Sequence, residues 1–272
     1  MPKVTIAIPF YNAEDYFESA ILSVLAQTFS DFILLLINDG STDSSLSIAQ
    51  KYLYDKRVKL ISDGKNINLG NRLNQIPLIV DTEFLARMDA DDIMHPKRIE
   101  KQLNVFEENP DIDVLGTNVY SIDQNDQVVG LRRKIGDNYL ETANTFIHPT
   151  VMAKTEWFKS NPYDVLAYRI EDTDLWLRTK DKYNFRIITE PLLFYREVGD
   201  QYYKKYIKGL SGVFYIIKTH TFSLRYLSFS LKYLVSTFIY LIFNLLGLEE
   251  ILVKKRNKVQ LEKKKYSLYI RI

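Results

Sequence analysis

The residues best suited to chemistry stand in short polar clusters, each at the end of an apolar run. Asp89-Ala90-Asp91-Asp92 is the sharpest of them. Carboxylates this close repel one another unless a cation or a hydrogen-bond donor lies among them. Magnesium or manganese is typically held by one or two carboxylates together with substrate phosphates. A solvated, helix-capping turn ahead of Pro96 accounts for the same residues without a metal, and an aspartyl nucleophile for phosphoryl transfer also fits them. A calcium loop fits less well, because its glycine and distal glutamate are missing.

The other clusters each have a plain reading and a chemical one. In Asn38-Asp39-Gly40-Ser41-Thr42-Asp43, Gly40 can turn the chain and Thr42 or Asp43 can cap a helix. A carboxylate such as Asp39 at a strand end can also accept from a base N–H or a ribose hydroxyl. Asn68-Leu69-Gly70, followed by Arg72 and Asn74, is either a turn and helix start or a backbone approach to a nucleotide, with Arg72 near phosphate. Glu171-Asp172-Thr173-Asp174 opens a helix, where acidic residues suit the dipole and where a carboxylate facing a cleft can serve as general base. His148-Pro149-Thr150 holds a lone histidine, a type more often structural than ligating.

The elements that must position these clusters alternate. Residues 4–9, 32–38, 58–62 and 84–88 are short apolar runs that read as buried strands. Between them, residues 13–27 place Phe17, Ile21, Val24 and Leu25 at helical spacing with Asn12 as cap, and 44–54 repeat the pattern with Leu46, Ala49 and Leu53. Pro96 opens a helix with Ile99, Leu103 and Phe106 on its buried stripe. Strand–helix alternation implies an α/β fold with a mainly parallel sheet covered by helices on both faces. Ligands in such sheets sit beyond the carboxyl ends of the strands, where these clusters converge. Further on, 114–121 and 127–132 read as strands, 172–182 as a helix and 185–195 as a strand pair.

Taken in order, Ile8-Pro9-Phe10-Tyr11-Asn12, Asn38 to Asp43, Asn68-Leu69-Gly70, Ala86-Arg87-Met88-Asp89-Ala90-Asp91-Asp92, His148-Pro149-Thr150 and Glu171-Asp172 resemble the family 2 glycosyltransferases over roughly residues 3–200. The resemblance implies the GT-A fold, a nucleotide-sugar donor with uracil as the expected base, a divalent metal (Mn2+ or Mg2+) and inversion at the anomeric carbon. It implies that Pro9 and Tyr11 line the nucleotide pocket and that Asp39 contacts the base. Asp89 and Asp91 match the family's Asp-x-Asp element, with Asp91 as metal ligand, and Asp172 matches its catalytic base. One position departs. Where many members carry a histidine after the Tyr195-Arg196 pair, this chain has Val198, which leaves Glu197, His148 or water to complete a metal shell. A metal-dependent nucleotidyltransferase would want a glycine-rich, basic phosphate loop after the first strand, and Pro9-Phe10-Tyr11-Asn12 is none. A non-catalytic glycan-binding module would have no need of carboxylates at 91 and 172, and both are present.

There are no cysteines, so thiolate metal sites are excluded. The apolar run at the N-terminus comes too early for a secretory signal, and a cytoplasmic location is expected. The net charge of +2 conceals an asymmetry: from Lys204 onward the chain carries 14 Lys and Arg against 3 Asp and Glu, hence +11, and the remainder is −9. We therefore divide the chain into a catalytic domain at 1–203 and a basic, amphipathic helical tail at 204–272. Leu224, Leu227, Leu231, Leu234, Phe238, Leu241, Leu245 and Leu248 form one helical stripe, while the most apolar stretch, 233–246, is short of the roughly 20 residues needed to span a bilayer. The stripe and the basic segment from Lys254 to Lys265 favour a membrane surface over nucleic acid. Packing on the body, or on a second copy as a homodimer, is the alternative. The expected acceptor is a surface glycan or a lipid-linked precursor, reached at the inner face of the plasma membrane.

Overall fold

In the computed structural model the described residues are 2–197, 202–221 and 223–269. The first half is built as β1 (Val4–Phe10), α1 (Phe17–Leu25), β2 (Phe32–Asn38), α2 (Ser45–Lys51), β3 (Val58–Ser62), α3 (Leu69–Gln75) and β4 (Phe84–Arg87). After it come β5 (Ile93–Met94), α4 (Arg98–Glu108), β6 (Val114–Ile122), β7 (Gln127–Leu131), β8 (Leu140–Thr142) and β9 (Met152–Lys154). Then follow α5 (Thr155–Ser160), α6 (Glu171–Thr179), β10 (Phe185–Arg196), α7 (Tyr202–Thr219), α8 (Leu224–Leu245), α9 (Glu249–Lys255) and β11 (Val259–Lys265).

The alternation of side chains along a strand explains the layering. In β1 and β2, Ile6, Ile8, Leu34 and Leu36 join one core with Phe17, Ile21, Ile99 and Leu103. Their neighbours Ala7, Leu35 and Ile37 join a second core on the opposite face with Leu73, Leu85, Trp157 and Trp176. Both faces are covered, so these strands read as continuous apolar runs.

The main path of the sheet runs β11-β7-β6-β9-β4-β1-β2-β3. β1 pairs in parallel with β2 and β4, and β2 with β3. The chain thus steps outward from β1 to β2 and β3, then returns to the other side of β1 with β4. That reversal between β1 and β4 is a switch point, where a crevice opens at the carboxyl ends. Beyond β4 the sheet is more mixed than the alternation suggests. β9 runs antiparallel to β4 and β6, β7 antiparallel to β6, and only β10 pairs in parallel with β6.

Two sequence readings are corrected here. Helix α1 begins at Phe17 and not at residue 13, and Asn12 does not cap it. Asn12 has φ +48, and its side-chain oxygen accepts the Thr42 N–H at 2.8 Å, tying the loop after β1 to the loop after β2. The chain beyond Lys204 is helical only to Lys255; Val259–Lys265 then adds to β7 as an antiparallel strand. Pairing satisfies the open edge of β7, which outweighs the poor strand propensity of three consecutive lysines. The tail therefore rejoins the catalytic sheet, and part of its basic segment is engaged there: Arg256 pairs with Glu197 at 3.2 Å and Lys263 with Asp123 at 3.1 Å.

Candidate functional site

Three strand ends build one side of the site. Pro9 is buried within β1, paired with Ile37, and Tyr11 emerges just past the strand, about half exposed. Asp39 follows β2 and is buried. Its Oδ1 accepts from Ile67 N (2.9 Å) and Arg72 Nε (2.8 Å), and its Oδ2 from Asn68 N (3.1 Å). One lone-pair direction on Oδ2 is left for a further donor. Asn68 adopts φ +71 and ψ 155, a conformation that L residues rarely take and that the Asp39 bond holds in place. Gly70 follows at the start of α3, and the Cβ it lacks would lie 4.0 Å from Glu171 Cγ.

Arg72 does not occupy the phosphate-facing place expected of it. It is buried, and besides Asp39 it donates to Asp63 (2.7 and 3.0 Å), Lys65 O (2.6 Å) and Gln75 (3.1 Å). All five of its N–H groups are spent. Arg72 is a bracket that holds Asp39 and the 63–68 loop together. Gly40 serves the same junction: its φ is +76, and a Cβ there would meet Asn66 N at 2.9 Å.

The second side follows β4. One carboxylate oxygen from each of Asp89, Asp91 and Asp92 lies within 4.8 Å of the others. Asp91 is exposed, Asp89 half-buried and Asp92 buried. Desolvation and then the Asp89 charge push Asp91 up to about 6, and burial followed by Asp91 and Asp89 pushes Asp92 well above the carboxylate range. Asp92 accepts Arg196 N at 2.9 Å, while its other oxygen is buried without a partner. Arg196 Nε also donates to Asp91 O at 2.7 Å, which locks the loop onto the end of β10. An all-oxygen set with an orphaned buried atom fits a hard divalent cation such as magnesium or manganese.

Asp172 sits at the start of α6, its Oδ1 accepting from Thr173 N at 2.7 Å. Burial raises its pKa, against the opposing pull of Arg87, and burial likewise raises Glu171, whose Oε2 has no partner. His148 Nδ1 lies 4.0 Å from Asp172 Oδ2, and its Nε2 is 2.8 Å from the Tyr163 hydroxyl. Burial, then Arg87, holds His148 well below its ordinary value, so it faces Asp172 as a neutral ring. His148 is thus bonded to Tyr163 beside Asp172 and lies outside the aspartate cluster. Glu197 is taken by Arg132, Arg256 and Ser121, so neither side chain considered for a metal shell is free for it. Val198 lies outside the described residues.

The sequence reading gave no role to Arg87, although a cation in an otherwise apolar buried strand is a signal in itself. Its Nη2 pairs with Asp89 Oδ1 at 2.8 Å, while Nε and Nη1 are buried without partners. Burial works against its charge, while the nearby carboxylates Asp89, Asp172 and Glu171 favour it and hold its pKa above the ordinary arginine value. It is the post between the aspartate cluster and the start of α6.

Comparisons with known proteins show the family and the fold. The model of "Glycosyl transferase family 2" matches residues 5–173. An uncharacterized glycosyltransferase of Methanocaldococcus jannaschii is 33% identical over 230 residues, covering 80% of this chain and 79% of that protein. The O-antigen biosynthesis glycosyltransferase WbnJ of Escherichia coli is 29% identical over 187 residues, 65% of this chain and 72% of that one. Among solved structures, S. aureus TarS 1-349 in complex with UDP-GlcNAc superposes with a TM-score of 0.62 at 17% identity, over 78% of this chain and 66% of that one. The mannosyltransferase PcManGT from Pyrobaculum calidifontis, in complex with GDP-Man and Mn2+, gives 0.59 at 12% identity, over 80% and 64%. This chain therefore spans just under two thirds of the length of those structures, and the likeness to them is one of fold.

Proposed function

The chain belongs to glycosyl transferase family 2, and from that premise we propose that it is an inverting enzyme that moves a sugar from a nucleotide-diphosphate donor, a UDP-sugar, to an acceptor hydroxyl. The observation that supports this reading is the buried Arg87, ion-paired to Asp89 and near enough to Asp172 and Glu171 to respond to their charge. Asp172 accepts the acceptor's proton as that oxygen forms its bond to the anomeric carbon. The bond from that carbon to the diphosphate oxygen breaks on the opposite face, and its electron pair leaves with the diphosphate. One base suffices, and no covalent enzyme intermediate forms.

Pro9 and Tyr11 line the nucleotide pocket on this reading, and Asp39 offers its remaining lone pair to the base. Asn68 and Gly70 bring the backbone beside it. Asp91, assisted by Asp89, would hold manganese or magnesium, which when bound supplies positive charge for the departing diphosphate. The solved relatives named above bind UDP-GlcNAc and GDP-Man, which supports a nucleotide-sugar donor. The acceptor is a surface glycan or lipid-linked precursor, met at the inner face of the plasma membrane.

The test is a thermal-shift screen of nucleoside diphosphates and nucleotide sugars with and without manganese. A ligand at 100 times its Kd stabilises the folded state by about 2.7 kcal/mol. Selective stabilisation by a uridine ligand with manganese is expected. A flat response to every nucleotide sugar would remove the reading.

A further inference from the structure

Helix α8 is packed with its polar and aromatic side inward. Tyr226, Ser230, Thr237 and Tyr240 are buried, Tyr226 donates to Asp174 Oδ1 at 3.2 Å, and Tyr233 donates to Tyr206 O at 3.1 Å. The leucine stripe faces out: Leu224 is 82% exposed, Leu231 62%, Phe238 63% and Leu245 77%. Phe214 on the adjacent α7 is also exposed, at 59%. A row of open apolar side chains along a 22-residue helix is an interaction surface.

The charges carried by its two helices are of one sign. No Asp or Glu occurs in α7 or α8, and Lys204, Lys208, Lys218 and Lys232 are exposed with no ion pair among the described residues. We propose that the α7–α8 hairpin docks on an anionic lipid bilayer, with α8 lying in the membrane plane and its leucine stripe in the acyl boundary. By length and composition α8 could cross a membrane. Tyr226, bonded to Asp174, and Arg225, bonded to Leu177 O and paired with Asp181, tie α8 to the body and oppose that, since spanning would strip them of their partners. A second copy is the poorer occupant, because a two-fold seam would bring like-charged lysines together.

The hairpin packs against the segment just ahead of α6, where Ala167 and Ile170 meet Val213 and Ile216. Gly209 and Gly212 let α7 approach closely, and a Cβ at Gly212 would come within 2.5 Å of Tyr168 O, just ahead of Asp172. Delivery of a lipid-borne acceptor to Asp172 rests on the catalytic reading above; binding to lipid does not.

Flotation of the full chain with vesicles of phosphatidylcholine, alone or with phosphatidylglycerol, tests the docking. The wild type is expected to float with the anionic vesicles. L231E/F238E should lose at least tenfold in the bound fraction while its melting temperature holds, since both side chains are exposed. Each Lys→Gln among positions 204, 208, 218 and 232 should lower anionic partitioning about fivefold. Light scattering is run on the same samples. Wild type left unbound, whether monomeric or as a dimer that L231E/F238E dissociates, would overturn the proposal, as would equal flotation of all variants. Manganese-dependent donor binding, measured separately, keeps this outcome distinct from failure of the catalytic reading.

Discussion

Arg72→Met separates a structural bracket from a phosphate ligand. Arg72 is 1% exposed and donates to Asp39, Asp63, Lys65 O and Gln75. Removing one partner of a buried pair costs about 3–5 kcal/mol. Asp39 keeps its two backbone donors, Ile67 N and Asn68 N, which favours the lower end. Asp63 is 42% exposed and contributes little more in water. For a chain of this size about 3 kcal/mol corresponds to a fall of about 6–12 °C in Tm. Donor affinity should fall less than about tenfold, since the Asp39 carboxylate stays roughly in place. A direct phosphate contact would give the reverse: a charge-assisted bond worth about 1.5–3 kcal/mol lost from binding, with little change in stability. Calorimetric melting, together with titration of nucleoside diphosphate and manganese well below the transition, reads both quantities. A Tm within about 2 °C of wild type with a hundredfold weaker donor would refute the bracket.

Asp172→Asn should lose about 10²–10⁴-fold in transfer of a labelled donor with donor binding near normal. Because burial raises the wild-type Asp172 pKa and the base works deprotonated, turnover should be present above that pKa and lost as pH falls through it. The acid limb should thus lie above the ordinary aspartate value of about 3.9, and a limb below it would remove Asp172 from the role. Asp91→Asn should weaken manganese-dependent donor binding more than Asp92→Asn, because Asp91 is exposed whereas Asp92 is anchored on Arg196 N; equal losses in calorimetry would contradict this. Gly40→Ala should destabilise by at least about 2 kcal/mol in urea unfolding, from the left-handed backbone and the contact with Asn66 N together. A change below about 0.5 kcal/mol would mean that the junction yields.

How legible these features were depended on whether the deciding contacts were local. Phe32–Asn38 and Val58–Ser62 were read to the residue because short runs rich in β-branched and leucine residues between turn residues admit one reading. The two-residue β5 and three-residue β8 carry no periodicity; their pairing with β10 makes them strands. β11 reads as a basic surface segment, and only the open edge of β7 turns it into sheet. Arg72 was misplaced for a similar reason. A guanidinium beside a glycine turn suits phosphate or carboxylate equally, and its partner Asp39 is 33 residues away. The stripe on α8 was legible, but not which side faces the body, because that is settled by the hydroxyls of Tyr226 and Tyr233 and not by the leucines.

The charge balance of the site explains why its parts depend on one another. Asp89, Asp91, Asp92, Glu171 and Asp172 gather at the ends of β4 and the start of α6, and Arg87 is the cation buried among them. Arg196 is near, but its side chain is committed to Asp91 O, Asp123 O and Asp126. One guanidinium cannot offset five carboxylates; desolvation raises Asp91, Asp92, Glu171 and Asp172, and neighbouring carboxylates push the first three further. A diphosphate approaching alone would add negative charge to that field. A divalent cation lessens that repulsion, so on the proposed reading metal and donor each strengthen the binding of the other by the same factor.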